Sequence, residues 1–362
     1  EEAEVVVKRL RHHACMALWS GNNENDVAHD WFPLHSKLNP NDDRISREIL
    51  PEVLRRLDPL RSYLPSSPYV SQKVFERGKK TSEIPEDHLW GPRDDFKGPF
   101  YQNSPAHFVS EIGYHGAPCL ESLKQMIEPE HLWPFENDGE IDPQWRAKAI
   151  ASFPDESLHD GRIRLMANQV SILFDVIPDQ LEPFIQASQI SQAEAMKFFI
   201  ERFRIGKWRR TGILWWNIRD GWPLISDAVV DYYNRPKLAY SYIKRVQQDL
   251  CVMVDEAENE RHKVIAVNDT LNDAKIDVAI SVIGQANTLL KLTLTVPANG
   301  RAQVGEIPAS SVCALYLLNW QTNGSTGHNH YLAGPRPFNL EQYTQWVSQL
   351  ELEEKPPAFV SP

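Results

Sequence analysis

The chain has 362 residues, 42% hydrophobic and 24% charged, with 38 basic against 49 acidic side chains and a net charge of −11. No apolar run approaches the ~20 residues a membrane-spanning helix needs. The acidic balance argues against nucleic acid as a partner, because phosphate recognition needs basic surface. The length allows two domains, or one barrel with an appendage.

Residues 3–11 read as a helix with Val5, Val6 and Leu10 on one side and Lys8, Arg9 and Arg11 mostly opposite. The apolar run from Cys15 to Trp19 reads as a buried strand that ends in Gly21-Asn22-Asn23-Glu24. A parallel α/β barrel presents catalytic groups at such C-terminal strand tips. A polar loop after any strand is the plainer reading of one Asn-Glu pair. Arg44 to Leu57 reads as an amphipathic helix with Ile45, Ile49, Val53 and Leu57 in line, stopped by Asp58-Pro59. Short strands are expected near 62–64, near 84–90 and at 108–110, the last with Glu111 at its tip. Glu24 and Glu111 are 87 positions apart. A barrel of ~250 residues uses roughly 30 per βα unit, so the two carboxylates would stand about three strands apart on one rim.

Residues 119–185 read as a loop-rich acidic stretch, and Ser191 to Glu194 as a capping box opening a helix that runs to Arg204. Gly212 to Asn217 is a further barrel-type strand, and a helix is expected over 237–248. From residue 249 the pattern alternates, with Ile276, Val278, Ile280 and Val282 on one side and Leu290, Leu292, Leu294 and Val296 repeating it. About seven short strands there predict an antiparallel β-sandwich, followed by a helix over 340–350 and a Pro-rich tail. Cys15, Cys119, Cys251 and Cys313 lack framework spacing and read as buried thiols, which favours a reducing, cytoplasmic setting over secretion. His12-His13 and the pair His328/His330 have no third ligand at suitable spacing, so no metal is expected. No phosphate loop, dinucleotide fingerprint or G-x-S-x-G elbow is present, and no cofactor is expected.

Taken together, the Trp19-to-Asn25 stretch (WSGNNEN), the Phe108-to-Gly113 stretch (FVSEIG) and the Gly212-to-Pro223 stretch (GILWWNIRDGWP) resemble glycoside hydrolase family 2, and its β-mannosidase-like members in particular. The resemblance implies a (β/α)8 TIM-barrel portion, its C-terminal five strands, over 1–248, and an immunoglobulin-like β-sandwich over 249–362. It implies a retaining exo-β-glycosidase acting on terminal β-linked sugars, with Glu24 as acid/base and Glu111 as nucleophile. Asn23 would bind the sugar 2-hydroxyl and Trp216 would floor the pocket, although a tryptophan there reads also as barrel core. His88 and Trp90 read equally as pocket residues or as packing. The implied partners are a glycoside or oligosaccharide substrate and an N-terminal segment carrying the earlier barrel strands. Arg219 departs from the family pattern, which has Asn there. β-Galactosidase, β-glucuronidase and exo-β-glucosaminidase specificities, and a non-catalytic carbohydrate-binding homologue, are the alternatives.

Overall fold

Short strands alternate with helices as far as residue 246, and antiparallel strands take over from residue 250. The computed structural model describes residues 1–31, 38–78, 84–149 and 156–350; the Pro-rich tail lies outside them. In chain order the first elements are α1 (Glu2–Leu10), β1 (Leu18–Ser20), α2 (Asn25–Trp31), α3 (Leu50–Leu57), β2 (Ser62–Leu64) and α4 (Gln72–Glu76). Next come β3 (Glu86–His88), α5 (Pro99–Gln102), β4 (Phe108–Ile112), α6 (Leu120–Met126), β5 (Glu136–Asn137) and β6 (Glu140–Ile141). They are followed by α7 (Pro143–Ala147), α8 (Glu156–Phe174), α9 (Leu181–Ile205), β7 (Gly212–Trp215) and α10 (Leu238–Val246). Seven strands complete the order: β8 (Leu250–Val254), β9 (Arg261–Asn268), β10 (Ala274–Val282), β11 (Thr288–Val296), β12 (Gly300–Pro308), β13 (Ala314–Gln321) and β14 (Thr326–Ala333). Helix α11 (Leu340–Gln349) closes the described chain.

The chain forms two compact units, one made of Glu1–Trp90, Ser104–Ile112 and Arg210–Leu214, the other of the remaining residues. In the first unit β1 pairs in parallel with β2, Leu18 opposite Ser62, and β3 pairs in parallel with β4. Strand β7 joins β4 to give the order β3-β4-β7. Gly212 permits that pairing, because a Cβ there would stand 2.4 Å from the Phe108 ring. Helix α1 buries Val7, packed with Val53 and Leu54 of α3, whereas Val5 and Val6 are exposed. The apolar side expected from the sequence is therefore rotated by one residue. The expected Arg44–Leu57 stripe also breaks: residues Ile45–Ile49 form a π-helical turn, and Ile45 and Ile49 face solvent. The wider turn takes them out of line with Val53.

In the second unit the stretch expected to be loop-rich contains α6, α7 and the 19-residue α8. Trp145 and Phe184, both fully buried, centre its aromatic core, with Phe135 stacked 5.1 Å from Phe184. The seven strands after residue 250 form a four-stranded sheet, β11-β10-β13-β14, and a three-stranded sheet, β12-β9-β8. Their inward residues share one core, which is the seven-strand sandwich pattern. Of the four cysteines only Cys251 is buried, and burial pushes its thiol up to about 12; Cys15 is exposed and Cys119 and Cys313 are half-buried. The uniform burial expected from their spacing is corrected accordingly.

Helix α9 starts ten residues before the expected capping box, so Ser191 and Glu194 are mid-helical and buried. The Ser191 hydroxyl bonds the Gln169 carbonyl at 3.3 Å. Glu194 accepts from His330 Nε2 at 2.8 Å and from the Tyr343 hydroxyl. One turn on, Lys197 pairs with Glu201 at 2.7 Å, and Asn329 donates to the other Glu201 oxygen at 2.7 Å. Arg245 donates to His330 Nδ1 across 3.2 Å, so His330 is the neutral Nε2–H tautomer between a cation and an anion.

Burial pushes the His330 imidazole down to about 4, against the opposing pull of Glu194, and does the same to His115 despite Asp227. An unfolded imidazole titrates near 6.5, so between pH ~6.5 and ~4 the unfolded chain binds more protons than the folded one. Stability from both histidines is complete above that window and declines as pH falls through it. At ~1.4 kcal/mol per pH unit, each contributes on the order of 3 kcal/mol. Thermal melts at pH 7 and pH 4.5 should show a lower Tm at the acid value, and the difference should shrink in His330→Gln. An acid-insensitive Tm contradicts the assignment.

Candidate active site

Three elements of the first unit deliver the site. The extended segment after β1 continues its pairing with the β2 segment: Gly21 N–H reaches the Leu64 carbonyl, and Glu24 N–H reaches the Ser67 carbonyl at 2.7 Å. Glu24 then sits at φ +57°. That left-handed conformation costs a side-chain-bearing residue about 1 kcal/mol or more, and such positions cluster at functional sites. Asp26, fully buried, anchors the turn. It takes both Arg47 amino groups at 2.9 and 2.6 Å and the Val70 N–H at 2.9 Å.

Strand β3 and its extension place Glu86, His88 and Trp90 at i, i+2 and i+4, on one strand face. Their partners lie on β4, where the register slips: Asp87 pairs with Val109 and His88 with Glu111, leaving Ser110 as the extra residue. An unbroken pleat sends consecutive side chains to opposite faces. The bulge instead lets Ser110 reach Glu86 while Glu111 reaches His88 and Trp90. Glu111 lies inside the strand, one residue before its end, whereas the sequence reading put it just past Ser110.

His88, with only 4% of its side chain exposed, joins the two carboxylates. Its Nδ1 is 2.8 Å from Glu24 Oε1 and 3.3 Å from Glu111 Oε2. Trp90 Nε1–H donates to the same Glu111 Oε2 at 2.9 Å. Burial raises the Glu111 carboxyl above its usual range, Trp90 and His88 oppose the rise, and the Glu24 and Glu86 charges add to it.

Of the residues singled out from sequence, Glu24, Glu111, His88 and Trp90 converge here. Asn23 is exposed, and its backbone bridges to Ser67. Trp216 belongs to the second unit and is 43% exposed there. Sequence reading missed Glu86, Ser67 and Ser110. The E-x-H-x-W alternation at 86–90 is the signal that could have found Glu86.

One ligand atom each of Glu24, His88 and Glu111 lies within 4.8 Å of the others. His88 Nδ1 is hydrogen-bonded to Glu24 Oε1, so its one in-plane direction is already used. The three side chains are therefore read as a proton-sharing set and not as metal ligands.

No family model matches the chain. It is 29% identical over 274 residues to β-mannosidase B of Aspergillus terreus, covering 70% of this chain and 30% of that protein. It is 26% identical over 316 residues to β-mannosidase B of Thermothelomyces thermophilus, covering 77% and 35%. The solved β-D-mannosidase of Dictyoglomus thermophilum superposes with a TM-score of 0.77 at 28% identity, over 93% of this chain and 40% of that one. The chain is a relative of the glycoside hydrolase family 2 β-mannosidases. This family 2 relative also shares its fold with the exo-chitosanase of Amycolatopsis orientalis, at a TM-score of 0.66 and 17% identity, over 92% of this chain and 38% of that one. It spans about a third of the length of the curated relatives it matches. Among the described residues no helix is long and apolar enough to cross a membrane.

Proposed function

We propose that the protein carrying this chain is a retaining exo-β-glycosidase of β-mannosidase type. In this reading 1–248 is the C-terminal portion of a TIM-barrel catalytic domain, 249–362 is an immunoglobulin-like sandwich, and an N-terminal segment supplies the remaining barrel strands. One observation carries it: two glutamates far apart in the chain meet at a single imidazole, Glu24 hydrogen-bonded to Nδ1 and Glu111 Oε2 3.3 Å from the same atom. Retaining hydrolysis needs two carboxyl groups about 5–5.5 Å apart, and that convergence supports such a spacing.

Trp90 and His88 both engage Glu111 Oε2. Oε1 is therefore the oxygen left to attack the anomeric carbon. As the Oε1–C1 bond forms, the bond from C1 to the leaving oxygen breaks, and Glu24 gives its proton to that oxygen. Water then adds to C1, Glu24 takes the water's proton, and the ester electrons return to Glu111. Asn23 on the 2-hydroxyl completes the proposal, and that role requires no cofactor.

The reading is tested by screening aryl β-mannoside, galactoside, glucoside, glucuronide and glucosaminide against the full-length protein; β-mannoside should be hydrolysed fastest. Absence of hydrolysis of all five would refute it. Glu24→Ala should slow substrates with poor leaving groups by about 10²–10⁴-fold, spare activated ones in the first step, and recover turnover with azide. Equal slowing of good and poor leaving groups, without azide rescue, would remove Glu24 from the acid/base role.

A further inference from the structure

The two-step reaction makes no use of a third carboxylate at this site. Glu86 Oε1 accepts from the Ser67 hydroxyl at 2.5 Å and from the Ser110 hydroxyl. Its Oε2 is buried without a hydrogen-bond partner among the described residues. An unmatched buried carboxylate oxygen is costly and points to a role other than stability. Ser67 Oγ also lies 3.0 Å from His88 Nε2 and 3.2 Å from Ser110 Oγ.

A hydroxyl has one hydrogen to give. Ser67 and Ser110 each direct theirs to Glu86, so toward His88 the Ser67 oxygen can only accept. His88 Nε2 must then carry a hydrogen. Nδ1 is left as the nitrogen that shares a proton with Glu24 Oε1, 2.8 Å away.

We propose that Glu86 is a positioning residue: through Ser67 it keeps the hydrogen on His88 Nε2 and reserves Nδ1 for the two catalytic glutamates. The proposal rests on the glycosidase reading above. At rest the acid's proton lies between Glu24 Oε1 and His88 Nδ1. It leaves to the departing oxygen in the first step, and a proton from water restores it in the second. The charged groups facing His88 are Glu24 and Glu111 at Nδ1 and Glu86 beyond Ser67. Asp87, on the same strand, accepts the His88 backbone N–H at 2.9 Å, and burial raises its carboxyl to about 6.

The test combines imidazole nitrogen NMR with kinetics on the full-length protein, comparing wild type, Glu86→Gln and Ser67→Ala. In the wild type Nε2 should carry hydrogen. In Glu86→Gln the amide can donate to Ser67, which frees the Ser67 hydrogen for Nε2, and the imidazole hydrogen should move to Nδ1. The kcat for aryl β-glycosides with poor leaving groups should fall by about 10- to 100-fold, short of the ~10²–10⁴ supplied by a direct acid–base group. KM should stay within about twofold, and the pH-profile limb that reports Glu24 should move. Ser67→Ala, which cuts the link with Glu86 intact, should reproduce the kinetic change. Wild-type kinetics in Ser67→Ala, or an unmoved His88 hydrogen in Glu86→Gln, would overturn the proposal. A wild-type protein inert toward every glycoside would instead overturn the glycosidase reading, and the nitrogen measurement would still decide the Glu86–His88 link.

Discussion

Glu111→Gln is expected to reduce turnover of aryl β-glycosides by at least about 10³-fold, because it removes the proposed nucleophile. The amide has nearly the same size and keeps an oxygen for Trp90 Nε1–H, so the shape of the pocket should survive. It cannot form a stable ester with the anomeric carbon. The loss should be similar for activated and poor leaving groups, because the first step fails in both. This distinguishes it from Glu24→Ala, where activated substrates lose little in that step. Steady-state rates on dinitrophenyl and nitrophenyl glycosides, with circular dichroism to verify folding, make the measurement. A folded Glu111→Gln variant with near wild-type turnover would remove Glu111 from the mechanism.

Glu194→Ala is expected to destabilise the second unit by about 3–5 kcal/mol, the range for removing one member of a buried charged set. Burial opposes ionisation of Glu194, but His330, Lys197 and Tyr343 together hold its carboxyl down at about 2. Removing it leaves the His330 Nε2–H and the Tyr343 hydroxyl without their acceptor, and it removes the charge that balances Arg245 and Lys197 nearby. Glu194→Gln keeps an acceptor oxygen and loses the charge, so it should cost less than the alanine variant. At roughly 2–4 °C per kcal/mol for a unit of this size, the alanine variant should melt on the order of 10 °C lower. A fall under ~1 kcal/mol in urea titrations would show that the site relaxes around the deletion.

Much of this was legible in the sequence. Apolar runs ending in polar clusters located β1 and β4, but the strand expected to be buried is exposed at Leu18 and half-buried at Trp19; the paired motifs pointed to two glutamates that the fold brings to one imidazole. Alternation marked the seven strands after residue 250. The failures have physical causes. The sequence pattern places the start of α9 ten residues late because Ser191 and Glu194 imitate a cap locally, and their partners Gln169 and His330 are distant in sequence. Helix α8 went unread because Gly161 and its charged early turns obscure the period. The bulge at Ser110 was invisible because register is a property of two strands together, and it is the bulge that brings Glu86, Ser110 and Glu111 into one network.

The central claim is that Glu111 forms a covalent bond to a sugar while Glu24 stands at the same imidazole. The most direct measurement treats the full-length protein with an activated 2-deoxy-2-fluoro β-glycoside, whose ester hydrolyses slowly, and maps the labelled peptide by mass spectrometry. The account predicts a single sugar adduct on the peptide containing Glu111, absent in Glu111→Gln. Hydrolysis of the parent substrate with no adduct, or an adduct on another carboxylate, would contradict it.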